Sequence, residues 1–373
     1  MRIALLGAGL IGGSLALALK EARAALTITA YDPIPAHGQT LLAREAIDCV
    51  AATAAQAVQD ADIVVIAAPL GTYRTLARAI APALKPGCIV TDVGSVKGSM
   101  AAIAALLPDV PVVPGHPIAG SETSGPDAAR GDLFQGCLCI LTPDEKTDPD
   151  ALAIVETLWH AVGADVIHMP APVHDQIYAY VSHLPHYIAF VAAAYFHRLG
   201  VQMTQEDEVL QQFLRISRSN PRMWTDIALE NREAFLPVLA TYTALLEHFA
   251  TELRAGEKTD TVDKAAVAKQ LVPRILAASL ISSVSLHEQQ SGLNLRPFGA
   301  GGMRDIVAPA AHTPEADTEA ISHAAHAVAE HIDALALMFH QLEQLIGAEN
   351  APGLFAYVSA MVADAHMLVT PRN

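Results

Sequence analysis

Strand, glycine loop, helix and acid succeed one another at the N-terminus, and that order constrains the fold more than any other feature of the chain. Arg2 to Leu6 read as a short buried strand, Gly7-Ala-Gly9-Leu-Ile-Gly12 follows at once, and an Ala/Leu-rich helix runs to about Ala24. The first glycine makes a tight turn, the second lets backbone approach a pyrophosphate, and the third lets helix pack on strand. A helix N-terminus then faces the phosphates. Gly7, Gly9, Leu10, Ile11 and Gly12 are therefore the candidate phosphate contacts of a dinucleotide. Thr27 to Tyr31 read as the second strand, and Asp32 stands at its C-terminal end. An acid there accepts from both ribose hydroxyls and repels a 2′-phosphate. No arginine follows Asp32 directly, so NAD is expected over NADP.

Strand-like runs recur with helical spacers at Ile63–Ala67, Ile89–Thr91, Val112–Val113, Leu138–Leu141 and Val166–His168. The alternation predicts a Rossmann-type, doubly wound parallel sheet. Ligands sit at strand ends in such sheets, which singles out Ala68-Pro69-Leu-Gly71 and Asp92-Val-Gly-Ser95. Pro69 is a candidate contact for the nicotinamide half of the cofactor. From Pro170 on, the pattern turns to long helical stretches. The expected organisation is an α/β NAD-binding domain over residues 1–170 and an all-α domain over 171–373. Asn220-Pro221 is expected to open a helix with Asn as cap, followed by Ala228 to Glu252.

Composition excludes more than it assigns. The chain is 52% hydrophobic and only 17% charged, with a net charge of −16 and no Lys/Arg blocks. That balance disfavours nucleic acid as a partner. Four cysteines form no CxxC pair, and sixteen histidines include no HExxH, so no metal is expected. The apolar N-terminus has a signal-peptide flavour, but Gly7, Gly9, Gly12 and Gly13 break the helix such a peptide needs. No apolar run reads as a membrane span. A soluble cytoplasmic protein is expected.

His116-Pro-Ile-Ala-Gly-Ser-Glu122 adds chemistry to the cofactor. A histidine framed by prolines can take a hydroxyl proton near neutral pH, and Ser121 and Glu122 can shape or touch a polar substrate. With Gly7 to Ser14, Asp92-Val-Gly-Ser-Val-Lys97, Ser182-His-Leu-Pro-His186, and Arg215-Ile followed by Ser219 to Asp226, this stretch resembles the prephenate dehydrogenase family. The matches run in the family's order over about residues 1–255. The resemblance implies NAD-dependent oxidative decarboxylation of prephenate to 4-hydroxyphenylpyruvate in tyrosine biosynthesis, or of arogenate to tyrosine. It implies His116 as base, Ser95 as the group that orients it and touches the nicotinamide, and Arg215 as the partner of a substrate carboxylate. His186 is implied as a substrate contact, with His183 as a further contact or a structural neighbour. A β-hydroxyacid dehydrogenase shares the plan but uses a lysine on the first interdomain helix. Here that region holds Tyr178, Ser182, His183 and His186 and no lysine.

The last third raises a second question. Val272-Pro273 to Val284 resembles Leu184-Pro185 to Phe196, and Thr313-Pro314 is expected to open a helix as Asn220-Pro221 does. Either the helical unit is duplicated over 171–258 and 259–373, or Ala-rich helices are alike by chance. A homodimer through the helical domain fits the second case, and a pseudo-dimeric monomer the first. The family's glycine-rich loop with an Arg-Asp pair is missing ahead of Arg215, where Glu208 to Leu214 stand. A Gly299-Ala-Gly-Gly-Met-Arg-Asp305 run appears instead, so Arg304 and Asp305 are expected to approach the active site.

Overall fold

Six short apolar strands assemble in the order β3-β2-β1-β4-β5-β6, every neighbouring pair parallel. They are β1 (Arg2–Leu6), β2 (Thr27–Tyr31), β3 (Cys49–Val50), β4 (Ile63–Ile66), β5 (Ile89–Asp92) and β6 (Val112–Val113). The computed structural model describes residues 1–24, 27–120, 123–204, 207–255, 263–299, 301–311 and 320–369. Burial on both faces explains why β4 is apolar throughout and why β1 is apolar after Arg2. Helix α1 (Leu10–Glu21) packs Leu15 and Leu19 into the core that holds Ile3, Leu5, Ile28 and Val65. The strand order reverses beside β1, which places the Gly7 loop at the switch point where such sheets bind ligands.

Two expected strands belong elsewhere. Leu138–Leu141 (β8) and Asp165–His168 (β9) form a separate three-stranded sheet with β7 (Gly115–Pro117), in the order β7-β8-β9. β7 and β8 run antiparallel and β8 and β9 parallel. His116 therefore lies on a strand, opposite Ile140.

A buried ion pair ties the two sheets together. Asp92 ends β5 and Lys97 follows five residues later, both side chains wholly buried. Lys97 Nζ donates to Asp92 Oδ2 at 2.5 Å and to the Gly115 carbonyl at 2.6 Å. Asp92 also accepts from the Gly94 N–H at 2.8 Å and the Gly115 N–H at 3.0 Å. One carboxylate and one ammonium thus hold the Ser95 loop against the strand that carries His116.

The chain divides into two units, Met1–Asp175 and Gln176–Asn373. The second unit is helical. Helix α7 (Ala171–Tyr178) runs through a π-helical segment (Ala179–His183) into α8 (Leu184–Arg198), buried almost throughout. There follow α9 (Glu208–Phe213), α10 (Pro221–Glu230), α11 (Arg232–Arg254), α12 (Lys264–Ser291), α13 (Gly301–Val307), α14 (Ala325–Gly347) and α15 (Ala351–Val369). Asn220 caps α10 through the N–H groups of Arg222 and Met223, and Pro221 opens it. The expected run from Ala228 to Glu252 is broken at Asn231, whose amide donates to His183 Nδ1 at 3.0 Å. Thr313-Pro314 lies outside the described residues. Helix α12 is long and apolar enough to cross a membrane by length and composition, contrary to the reading of the sequence. It packs against α8, α11 and α14, as a core helix does.

Replacing Lys97 by Met would strand the Asp92 carboxylate in the interior. The expected loss is about 3–5 kcal/mol of stability, measured by denaturant unfolding. A change below about 1 kcal/mol would show that the pair is not what joins the sheets.

Candidate active site

The glycine loop has the geometry of a phosphate cradle. Gly7 has φ +116°, and a Cβ there would lie 2.3 Å from the Ala67 carbonyl oxygen, so only glycine fits. A Cβ at Gly12 would meet the Gly7 carbonyl oxygen at 2.2 Å, which enforces the close approach of helix to strand. A Cβ at Gly9 meets nothing within 4 Å, so on that side the backbone is open to a ligand. Gly9 also caps α1 with no side-chain hydrogen bond, and the residues of the first turn include Leu10 and Ile11. Asp32 accepts from the Ala8 N–H at 2.8 Å, which fixes its carboxylate beside the loop. Its other oxygen takes the Ile34 N–H at 2.9 Å and lies 3.2 Å from His37. Pro69 begins the short turn after β4, and its carbonyl accepts from the Thr72 hydroxyl. These residues fit a dinucleotide.

His116 is held by a group the sequence reading did not name. Its Nδ1 lies 2.8 Å from His174 Nε2, and His174 Nδ1 lies 2.8 Å from Asp175 Oδ1. Asp175 is further bound by the N–H groups of Lys97 and Gly98, each at 2.7 Å. Burial opposes ionisation of Asp175, yet the bonds from His174, Lys97 and Gly98 hold its carboxyl below the usual range. Burial also lowers His174, against the pull of Asp175, and so favours a neutral ring. The proton positions follow. The carboxylate takes the proton-bearing Nδ1 of His174, whose Nε2 must then accept. His116 then donates through Nδ1, which in the neutral ring leaves the lone pair on Nε2.

Ser95 is half-buried on the loop that Lys97 anchors. The hydrogen-bond partner seen at His116 Nδ1 is His174. Lys97 stands in the Asp92–Lys97 motif, and its role as a buried cation shows only in the fold. The only sequence sign of the relay was the His174-Asp175 dipeptide, eight residues before Ser182.

The second unit gathers the remaining candidates. His186 Nδ1 donates to the Ser182 carbonyl at 2.8 Å, and the ring stacks on Trp224 with centroids 3.7 Å apart. Burial lowers His186 to about 4, with Arg215 pushing the same way and the Ser182 carbonyl opposing. A neutral ring in this tautomer accepts at Nε2, which suits a substrate hydroxyl or ammonium better than a carboxylate. Arg215 Nε donates to Asp305 Oδ2 at 2.7 Å, and its Nη2 reaches the same oxygen. Gln212 donates to the other oxygen at 3.1 Å. Asp305 thus meets Arg215, as the glycine-rich run suggested, whereas Arg304 is exposed. His183 is fully buried between Trp224 and Phe235, with Asn231 on its Nδ1. Ser121 and Glu122 lie outside the described residues.

Comparison with known proteins agrees with both halves. A family model described as the prephenate dehydrogenase nucleotide-binding domain matches residues 15–168, and one described as the prephenate dehydrogenase dimerization domain matches 170–265. The cyclohexadienyl dehydrogenase of Zymomonas mobilis is 37% identical over 261 residues, 68% of this chain and 89% of the relative. The prephenate dehydrogenase of Bacillus subtilis is 33% identical over 249 residues, 63% of this chain and 65% of the relative. Among solved structures, Aquifex aeolicus prephenate dehydrogenase in complex with hydroxyphenyl propionate and NAD+ superposes with a TM-score of 0.61 at 30% identity. That match covers 78% of this chain and 96% of the other.

His186 is expected to stay neutral well below the ordinary histidine range. Because its folded pKa is depressed to about 4, the unfolded chain binds the extra proton first. Its contribution to stability is complete above about pH 6.5 and is lost as pH falls toward 4. Nitrogen-15 NMR of the imidazole should read an Nδ1–H ring at pH 5; an imidazolium there would refute the assignment.

Proposed function

Because the chain belongs to the prephenate dehydrogenase family, we propose that it oxidises prephenate with NAD, releasing carbon dioxide and yielding 4-hydroxyphenylpyruvate. The observation that carries this reading is the His116–His174–Asp175 relay in the nucleotide-binding unit. Hydride loss from a ring carbinol requires a base at its hydroxyl, and the relay presents one with its lone pair at a defined nitrogen.

The chain's own part runs in order. Gly7, Gly9, Leu10, Ile11 and Gly12 hold the pyrophosphate, Asp32 takes the ribose hydroxyls, and Pro69 and Ser95 flank the nicotinamide. NAD, when bound, accepts the hydride that leaves ring C4. His116 Nε2 takes the hydroxyl proton as the C4–O bond becomes a carbonyl. The imidazolium so formed is steadied through His174 by the Asp175 carboxylate, the logic of a catalytic triad with a second histidine inserted. Loss of the C1 carboxylate as carbon dioxide sends its electron pair through the ring to the C4 oxygen. The resulting phenolate takes the proton back from His116. Charge and protons balance without a metal or a covalent nucleophile.

Arg215 binds a substrate carboxylate with its guanidinium, the geometry that suits a carboxylate best. His186 accepts a hydrogen bond from substrate. Arogenate is the second reading: its ammonium is a donor that the neutral His186 can receive, and the Zymomonas relative carries the broader name cyclohexadienyl dehydrogenase. The β-hydroxyacid reading is disfavoured by the absence of lysine from 176–186. We place the enzyme in the cytoplasm, where its cofactor pool lies.

NADH formation with prephenate and with arogenate tests the activity and names the substrate. His116→Ala should lower kcat by about 10²- to 10⁴-fold with NAD binding intact. Asp175→Asn should lower kcat less and move the acid limb of kcat/KM to lower pH, because the imidazolium loses the anion that steadies it. An unmoved acid limb would remove Asp175 from the relay. No turnover of either substrate by a protein that binds NAD would refute the assignment.

A further inference from the structure

The second unit repeats itself at a spacing of 93 residues. Helix α11 runs Arg232–Arg254 and α14 runs Ala325–Gly347; both have 23 residues, and both ends are offset by 93. The continuous helical run Ala171–Arg198 and α12 (Lys264–Ser291) each span 28 residues with the same offset. At this register Pro185 corresponds to Ala278, so the two helix prolines are not equivalent.

Contacts at that spacing reveal how the copies meet. Gln212 donates to Asp305, and His340 Nε2 lies 2.8 Å from Glu247 Oε1; each pair is 93 positions apart. A residue touches its own equivalent only beside a two-fold axis. Reciprocal packing agrees: α9 lies on α12 and α13 on α8, while α11 lies on α12 and α14 on α8. α11 and α14 themselves pack together, with Tyr242 against Phe339 edge to face. The match to the dimerization domain ends at residue 265, where the second copy begins.

We propose that this unit is a fused pseudo-dimer in which the second repeat supplies Asp305 as the positioning residue for the substrate arginine of the first. One chain then carries one complete anion-binding site. The residues divide accordingly. The first repeat keeps His186 and Arg215 but has Gln211-Gln212 where the second has Arg304-Asp305. The second repeat keeps Asp305 but has Ser279 and Ala308 at the places of His186 and Arg215. One half-site from each copy survives, and the symmetry-related site is dismantled. Asp305 is 7% exposed, with both oxygens engaged, so it sets the Nε–Nη2 edge of Arg215. Gly302 belongs to the same device, since a Cβ there would lie 3.2 Å from His186 Cε1.

The inference rests on the proposed function for its kinetic test but not for its physical one. Sedimentation equilibrium of the wild type should give a single chain of 39.3 kDa across micromolar concentrations. Asp305→Asn should raise KM for prephenate about tenfold or more, with kcat within about threefold and NAD affinity unchanged. Asp305→Glu should recover part of the loss. Mixing Asp305→Asn with Arg215→Ala should restore nothing, because each site is built in one chain. A wild-type dimer, activity regained on mixing, or an unchanged KM in a folded Asp305→Asn variant would each overturn the proposal. If prephenate is not turned over at all, the sedimentation result still decides the pseudo-dimer while the function reading alone fails.

Discussion

The buried Asp92–Lys97 pair is the interaction on which the chemistry depends. Neither charge could be left alone in the interior, so each enforces the other's position, and Gly94 and Gly115 supply the remaining hydrogen bonds. The same residue stretch then delivers the backbone N–H groups of Lys97 and Gly98 to Asp175. One short segment therefore fixes the Ser95 loop, the strand that carries His116, and the carboxylate that ends the relay. A charge pair in the first unit becomes a proton position at the base.

Both candidate histidines obey one rule. Each spends Nδ1 on a protein acceptor, His174 in one case and the Ser182 carbonyl in the other, which leaves the lone pair on Nε2. His116 has a carboxylate behind it, through His174, to steady a positive charge. His186 has a backbone carbonyl, an aromatic ring and Arg215 beside it, and stays neutral. The first can take a proton and give it back; the second can only receive a hydrogen bond. Environment separates the roles of two rings of the same kind. Arg215 supplies the positive charge that His186 does not, and Asp305 fixes where it points.

The glycine loop and Asp32 were legible in the sequence because strand, loop, helix and acid follow at a fixed spacing, and Gly7 and Gly12 answer a steric demand. His116 and Arg215 were legible as members of motifs. His174 and Asp175 were not, since a relay partner 58 residues away leaves no periodicity to read. Lys97 was visible as a letter but not as a buried charge. β8 and β9 were recognisable as strands, yet alternation of residues does not say which sheet a strand joins. The break at Asn231 depends on His183, 48 positions earlier, and so escaped a local reading. Asp305 was noticed because a glycine-rich Arg-Asp run stood in the wrong copy. Its register is hidden in the sequence, because Pro185 and Pro273 align more readily than the helix ends, whose offset of 93 only the fold displays.

The tautomer of His116 tests the account most directly. Nitrogen-15 NMR of labelled histidine in the NAD-bound enzyme, at a pH where the ring is neutral, reads which nitrogen bears the proton. The relay predicts Nδ1–H, with the lone pair on Nε2, and a shift of that pattern when Asp175 becomes Asn. A neutral His116 protonated on Nε2 would contradict it, because the nitrogen assigned to the substrate proton would already be occupied.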